Sequence, residues 1–376
     1  MGDECTVDKF TNMPYHKLKL LTWNIWFDIL DREQRMAALI EYIFHEMPDV
    51  VCLQEVVPSV KMFLMETSIG VVRSILDGSK EVEVFQHKSD NGPNFIRGLL
   101  SRSKKLFGSS TQKENGVEEC NKSNINDPNT SSNNLPKATK LTDYYVFSDN
   151  EIRMYGLLTL VKKPEISKEK HSSLISETKF TYKPFITSNM NRGLLLAILN
   201  VQVKDKNVDL VVATSHLESL SNEKTRESQI KETAECLKDY PRAVFCGDFN
   251  FDSTKSYGDW VKRPLEELEN IVLQNEMPDF IDSWIVLKQR NEQSETKSDN
   301  LFDPGYTFDG ISNPKYIKDQ NEQMRYDRVM AKGLVPKTIE VAGKEEICVP
   351  QDEANEIEMK IKISDHYGLL TEFEIS

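Results

Sequence analysis

The chain has 376 residues, 39% hydrophobic and 28% charged, with a formal net charge of −13. This composition excludes wholesale disorder and leaves one or two globular domains open, with part of the length in surface insertions. The acidic balance excludes grip on nucleic acid through a broad basic surface. It does not exclude a site whose carboxylates gather a divalent cation where a phosphate sits.

Six cysteines (Cys5, Cys52, Cys120, Cys236, Cys246, Cys348) lie scattered, with no CxxC pair, so free thiols in a reducing compartment are expected. Cys52 and Cys246 fall in apolar runs and read as packing residues. No apolar signal core opens the chain, and no run approaches the roughly 20 apolar residues that span a bilayer. Met1-Gly2 with Thr6 meets a loose myristoylation pattern, but Asp3 and Glu4 are a poor context for it. A soluble protein of the nucleus or cytoplasm is expected.

Residues 18–23 read as a buried strand running into the polar Asn24. After Asp31, a candidate N-cap with Gln34 three residues on, Met36, Leu39, Ile40, Ile43, Phe44 and Met47 recur at helical spacing until Pro48. A strand over 49–53 follows and ends in Gln54-Glu55, completing a β-α-β unit. Residues 101–140 are rich in Asn, Ser, Lys and Thr, a composition that does not offset its ordering entropy, and a disordered insertion is predicted. The polar stretch 162–179 reads as a long hairpin connection between strands at 153–161 and 192–203. A strand over 208–215 ends at His216, a helix covers 222–238, and a strand over 243–246 ends in Gly247-Asp248-Phe249-Asn250. Short strands at 324–330 and 367–373 flank an acidic insertion at 345–358. No composition break divides the chain into two cores, so residues 18–376 are read as one catalytic domain after a short tail, 1–17.

Apolar strands repeatedly end in side chains that bind metal or move protons: Asn24, Glu55, His216, Asp248 and Asn250. In α/β proteins that edge is where loops converge to build sites. Singly, each has a structural reading, as a turn former, a surface charge or a satisfied terminus. Those readings do not predict that all coincide with strand ends. Hydrolysis of a phosphodiester needs a cation, a base or orienting group for water, and a donor for developing charge. Glu55 suits Mg²⁺, Asp248 suits the water, and Asn250, two residues on in an extended segment, projects to the same side. His366 serves best as an imidazolium, with Asp327 the candidate carboxylate behind it. No nucleophile elbow, Walker loop or HExxH helix is present.

Thr22-Trp23-Asn24-Ile25, Leu53-Gln54-Glu55, Ser215-His216-Leu217-Glu218-Ser219, Gly247-Asp248-Phe249-Asn250 and Ser364-Asp365-His366, in this order, resemble the motifs of the endonuclease/exonuclease/phosphatase superfamily. The resemblance runs from residue 18 to the end. It implies a four-layer α/β sandwich, two mixed β-sheets face to face with helices outside. The stretches Asn191-Arg192-Gly193-Leu194-Leu195, Gly305-Tyr306-Thr307-Phe308-Asp309, Arg325-Tyr326-Asp327-Arg328 and Ser364-Asp365-His366-Tyr367-Gly368 resemble its tyrosyl-DNA phosphodiesterase 2 branch. That branch implies Glu55 as the Mg²⁺ ligand, with Mn²⁺ able to substitute, Asn24 beside it, and Asp365 helping to hold the metal waters. Asp248 and Asn250 then sit at water and phosphate, and His216 and His366 face phosphate oxygens, with Asp327 behind His366. The implied substrate is a DNA 5′ end carrying a covalent tyrosine or peptide, a topoisomerase adduct, cleaved to a 5′-phosphate by a monomer that needs no membrane.

Two departures stand out. Asn24-Ile25-Trp26-Phe27-Asp28 replaces the Asn-Ile-Asp-Gly common in animal members, and with the first strand beginning near Leu18 their N-terminal ubiquitin-binding domain is not expected here. Trp26, Phe27, Tyr306 and Phe308 are candidates to stack on bases, core being the better reading for Phe27 and Phe308. Arg192 and Arg325 are candidate DNA-phosphate contacts, Arg325 equally an exposed strand-edge residue. Other hydrolases of the superfamily, an abasic-site endonuclease, an RNA deadenylase or a lipid phosphodiesterase, share the metal site; lack of a membrane-inserting loop counts against the last. A scaffold that had lost activity is expected to lack one of Glu55, Asp248, Asn250 or His366, and all four are present.

Overall fold

The computed structural model describes residues 16–66, 76, 141–149, 152, 154–164, 175–203, 206–253, 268–292, 303–352 and 357–375. The expected insertion at 101–140, the Met1-Gly2-Thr6 stretch and the tail before His16 lie outside the described residues.

Two six-stranded mixed sheets carry the fold. The first runs β13 (Val335–Ala342), β16 (Gly368–Ile375), β1 (His16–Asn24), β2 (Val50–Val56), β4 (Gly156–Lys162), β3 (Tyr144–Ser148). The second runs β5 (Ile175–Pro184), β6 (Gly193–Val203), β7 (Lys206–His216), β8 (Ala243–Asp248), β12 (Asp327–Lys332), β9 (Ile281–Asp282). At each centre lies a parallel pair, β1 with β2 and β7 with β8. The crossovers are helices α1 (Arg32–Glu46) and α3 (Glu223–Leu237), as parallel neighbours require. Two short ribbons, β10 (Phe308–Asp309) with β11 (Gln323–Met324) and β14 (Ile347–Asp352) with β15 (Ile357–Ile361), complete the strands.

Three apolar layers separate four structural ones. Between the sheets, Leu18, Leu20, Val50 and Cys52 of the first meet Leu199, Leu210, Val212, Val244 and Cys246 of the second. Outside the first sheet, Met36, Leu39, Ile40 and Ile43 of α1 and Val60 and Leu64 of α2 (Pro58–Glu66) cover Leu21, Trp23, Val51 and Leu53. Outside the second, Ile230 and Leu237 of α3 with Val272 and Leu273 of α4 (Leu268–Glu276) cover Leu196, Val211, Ala213 and Phe245. A strand facing a partner layer on both sides is apolar at nearly every position, which is why β2 and β8 read as continuous runs rather than alternating ones. Each fully buried Leu, Ile or Val contributes about 1.5–3 kcal/mol.

The structure departs from the sequence reading at several points. Strands β4 and β6 lie in different sheets, so residues 162–179 do not close a hairpin between them; β5, which begins within that region and runs to Pro184, is itself an edge strand paired with β6. Exposure of most of its side chains hid it. The acidic stretch at 345–358 contains β14 and the start of β15, and the strand expected over 324–330 breaks at Arg325 and Tyr326 between β11 and β12. Asp31 adopts a left-handed φ of 52° and makes no side-chain cap bond to α1. Its carboxylate accepts from the Tyr316 hydroxyl (2.9 Å) and pairs with Lys315 (2.7 Å). Cys52, Cys236 and Cys246 are free, whereas Cys348 is disulfide-bonded, which corrects the expectation of thiols throughout. No helix among the described residues is long and apolar enough to cross a membrane.

Arg325 and Arg328 are both buried and both pair with Asp282, which opens α5 (Ser283–Glu292). Arg325 donates to its two oxygens at 3.2 and 2.9 Å, and Arg328 to one at 3.1 and 2.9 Å. Burial alone raises the Asp282 carboxyl, but the two guanidinium charges outweigh it and hold it at about 2. Removing the Asp282 charge leaves two buried guanidinium groups without the carboxylate that neutralises them. Asp282→Asn is expected to cost ~3–5 kcal/mol in urea unfolding. Because the folded pKa lies below the unfolded value of ~3.9, the contribution is full above that value. It is lost as pH falls from about 4 toward 2, and the variant's stability is flatter across that window.

Candidate active site

The two central parallel pairs end side by side, and their last residues meet across the gap between the sheets. Asn24 ends β1, Glu55 lies at the end of β2, His216 ends β7 and Asp248 ends β8. The Asp248 carboxylate is the shared acceptor. Its Oδ1 takes the Asn250 backbone N–H (2.9 Å), while Oδ2 takes Asn24 Nδ2 (2.9 Å) and lies 3.3 Å from His216 Nε2 and 3.8 Å from His366 Nε2. Gln54 adds a second tie between the sheets, donating to Thr22 Oγ1 (3.1 Å) and Thr214 Oγ1 (3.0 Å).

Backbone geometry at this edge is special. Glu55 (φ 61°) and Asn250 (φ 57°) are non-glycine residues in the left-handed region, a cost of about 1–3 kcal/mol each that surrounding contacts must offset. Glu55 sits where the register of β2 with β4 shifts, which turns its carboxylate toward the site. Asn250 therefore does not project from an extended segment as expected: the chain closes an Asx turn on Asp248, and Asn250 Nδ2 donates to Leu217 O (3.0 Å). Gly247 (φ 126°) lies so close to β7 that a Cβ there falls 2.0 Å from Ser215 O.

His366 comes from the loop before β16. The Trp23 indole N–H donates to its carbonyl (2.9 Å), and Ser364 Oγ donates to Asn24 O (2.7 Å). Thr307 binds the next residue, Tyr367, through its carbonyl (2.7 Å) and the Asp327 N–H through its hydroxyl (3.0 Å). These anchors bring His366 Nδ1 to 2.8 Å from Asp327 Oδ2, with Phe308 edge-on to the imidazole at 4.9 Å. Burial disfavours the imidazolium, but Asp327, Asp248 and Asp365 around it raise its pKa well above the usual histidine range.

His216 is the opposite case. Burial and the adjacent Arg192 guanidinium push its pKa well down. Arg192 Nη1 lies 2.8 Å from His216 Nδ1 and donates to it, so Nε2 carries the hydrogen and points it at Asp248. Arg192 is placed by Glu218, which accepts from Ser188 Oγ, the Asn189 N–H and Gln229 Nε2, each at 2.9 Å. Ser188 Oγ in turn accepts the Arg192 backbone N–H at 2.7 Å.

Asp248 would be raised by burial, but the two facing imidazoles and the N–H groups of Asn24 and Asn250 hold it below the usual carboxylate range. Glu55 and Asp365 go the other way. Burial raises both, each near other carboxylates, and Asp365 is pushed up to about 7. Two half-buried carboxylates, each raised by desolvation and by neighbouring carboxylate charge, form a place that favours an added positive charge. No group of three or more His, Cys, Asp or Glu among the described residues is arranged to hold a metal ion. A hard cation of the Mg²⁺ type needs only one or two carboxylates, completed by water and substrate phosphate, and Glu55 with Asp365 fits that donor set.

Of the predicted site residues, Asn24, Glu55, His216, Asp248, Asn250, Asp327, Asp365 and His366 are together at this edge. Arg192 lies in it too, but its guanidinium serves His216 and the face of Tyr155, 5.0 Å away. Arg325 is not there: it is 1% exposed and bound to Asp282, so it is neither a DNA contact nor an exposed edge residue. Tyr306, on the loop before β10, and Phe308, in β10 beside His366, are half-buried. Phe27 is 45% exposed rather than core, and Ile29 and Leu30 on the same loop are exposed as well, so an apolar loop does flank the site. Gln54, Glu218, Thr307 and Tyr155 escaped the sequence reading. Gln54, Glu218 and Thr307 lie inside motif phrases that carried some signal for them, whereas Tyr155 lies in none.

The model of the Endonuclease/Exonuclease/phosphatase family matches residues 21–366. A search of curated protein sequences finds no match. Among solved structures, a humanised D. rerio TDP2 carrying 14 mutations is 18% identical with a TM-score of 0.55, over 95% of this chain and 99% of that one. D. rerio TDP2 complexed with single strand DNA product is also 18% identical, with a TM-score of 0.54 over 95% and 99% of the two chains. An endonuclease/exonuclease/phosphatase family protein from Bacteroides thetaiotaomicron is 11% identical, with a TM-score of 0.55 over 97% and 100%. At these identities the likeness is one of fold. With the family motifs converging on a single sheet edge, the chain belongs to the endonuclease/exonuclease/phosphatase family and is an α/β hydrolase of the phosphodiesterase type.

Proposed function

We propose that this protein is a Mg²⁺-dependent phosphodiesterase that hydrolyses 5′-phosphotyrosyl DNA ends to 5′-phosphates, in repair of topoisomerase adducts. The observation that carries the reading is the convergence of His366, its Nδ1 2.8 Å from Asp327, on Asp248, whose Oδ2 accepts from Asn24 at 2.9 Å and lies 3.3 Å from His216 Nε2. The substrate is supported by the stretches around Arg192, Tyr306, Arg325 and His366 that resemble the tyrosyl-DNA phosphodiesterase branch. It is also supported by the fold likeness to TDP2, one structure of which holds a single-strand DNA product.

In this reading Glu55 and Asp365 hold the cation. When bound it neutralises phosphate charge, a role no buried lysine among the described active-site residues takes. Asp248 accepts a hydrogen bond from the attacking water and aims it. A carboxylate held below its usual range is a weak base, so orientation is its larger contribution. Asn24 and the Asn250 N–H keep the carboxylate from rotating, and neutral His216 braces it through Nε2. His366 Nε2–H, on the far side from Asp327, donates to the phosphate oxygen on which charge accumulates.

The direct test offers purified protein a single-stranded oligonucleotide with a 5′-phosphotyrosyl end, beside an abasic duplex and sphingomyelin, with Mg²⁺ or with EDTA. Release of a 5′-phosphate only with Mg²⁺ is expected; cleavage of the abasic duplex but not the phosphotyrosyl end overturns the substrate. Asp248→Asn is expected to lower kcat at least ~10³-fold while circular dichroism shows the fold retained, and near-normal turnover removes Asp248 from its role. Asp327→Asn leaves His366 without its charged partner. We expect kcat to fall ~10²–10⁴-fold, and the alkaline limb of the kcat profile to move to lower pH, because the imidazolium loses the carboxylate that raised its pKa.

A further inference from the structure

The loop that follows Asn24 is unusual for a surface segment beside a charged site. It presents Phe27, Ile29 and Leu30 to solvent at 45%, 60% and 43% exposure. It is held rigidly from below. Buried Arg35 donates to the carbonyls of Leu30 (2.9 Å), Ile25 (3.0 Å), Trp26 (3.3 Å) and Asp28 (2.7 Å), and Arg32 Nε donates to Asp28 O (2.9 Å). Trp26, at a left-handed φ of 57°, turns inward onto Tyr316, 4.9 Å away, and lies 4.7 Å from the Arg35 guanidinium. Its neighbour Phe27 is thereby turned outward.

Phe27 is tied to the reaction centre at two points. Its backbone N–H donates to Glu55 Oε2 (3.0 Å). Its ring stacks nearly parallel on Tyr155, at 5.1 Å between centroids and 12° between planes. Tyr155 in turn lies 6.4 Å from the His216 ring and 5.0 Å from the Arg192 guanidinium. Tyr155 is the one ring partner of Phe27 among the described residues, and Phe27 stays 45% exposed although its N–H is bound to Glu55 and its ring partner lies beside His216.

We infer that Phe27, on its Tyr155 support, is a stacking platform that receives a planar aromatic ring carried by the scissile phosphate, and so sets which diesters this site accepts. The inference rests on the phosphodiesterase reading above. A rigid aromatic pair takes a ring without the ordering cost a mobile loop incurs, and stacking is tolerant of which ring it is. The ring chemistry has two sources, the departing phenol of a tyrosyl ester and the base of the 5′-terminal nucleotide. A lipid surface is the less favoured occupant. Asp28 interrupts the apolar run, Phe27 is bound to Glu55 rather than projecting away from the site, and the net charge of −13 opposes anionic membranes.

Four single-stranded oligonucleotide ends separate these cases: 5′-phosphotyrosyl or 5′-phosphomethyl ester, each on a terminal thymidine or on an abasic sugar. Each competes, in Mg²⁺, against cleavage of a labelled phosphotyrosyl substrate by wild type, Phe27→Ala and Phe27→Trp. Phe27→Ala is expected to raise the inhibition constant of ring-bearing ends about tenfold more than that of the ringless end, a difference of about 1.4 kcal/mol. Phe27→Trp is expected to keep the wild-type order. A differential loss confined to tyrosyl ends places the leaving group on the platform, and one confined to thymidine ends places the base there. Equal losses on all four ends overturn the inference while leaving the phosphodiesterase reading intact. Failure of wild type to cleave the labelled substrate overturns that reading instead. Binding of wild type to phosphatidylcholine vesicles that Phe27→Ala abolishes, with no differential loss on the oligonucleotides, assigns the loop to lipid and also overturns the inference.

Discussion

A single carboxylate organises the catalytic edge of this protein. Asp248 ends the central strand of one sheet, yet its Oδ2 is bonded by Asn24 from the central strand of the other, while His216 and His366 approach from two more segments. A buried ion without partners costs several kcal/mol, so each donor must be placed accurately for Asp248 to stay ionised. That demand fixes where β1, β7 and the loop before β16 end relative to one another. The apolar layer between the sheets supplies the rigidity that keeps those ends in place.

Part of the backbone strain lies at the same edge. Trp26, Glu55, Asn191 and Asn250 all carry left-handed φ values, and each lies in or next to a segment that bears a site residue. Their cost is offset by bonds from residues with no chemistry of their own: Arg35 beneath the Trp26 loop, Glu218 and Ser188 beside Asn191, Leu217 under Asn250. The two imidazoles show how environment divides labour between identical side chains. His366 has carboxylates on its open sides and holds a proton; His216 has a guanidinium on one side and releases it.

Much of this was legible in the sequence. The apolar runs into Asn24, Glu55, His216 and Asp248 located strands β1, β2, β7 and β8 and both crossover helices, because burial on two faces removes nearly every polar residue. Edge strands were harder. Strand β5 shows solvent most of its side chains and reads as linker, and β14 and the start of β15 lie in a stretch whose acidic residues masked its few apolar ones. Arg325 and Phe27 were misread in opposite directions. A long cation was buried against Asp282, and a phenyl ring was exposed, because the partner that decided each lies far away in sequence or in a backbone turn.

By itself the sequence determined the order of the core strands and the identity of the groups at their ends. Hydrophobic runs and polar termini are local properties, and the five motifs of the family are contiguous words. Only the tertiary structure decided which nitrogen of each histidine has which partner, that Arg192 serves His216, and that Asn250 turns its amide to Leu217. It alone set Phe27 outward beside Glu55. These follow from distances between segments brought together by two packed sheets, and from backbone angles that neighbouring layers impose, neither of which any window of sequence contains.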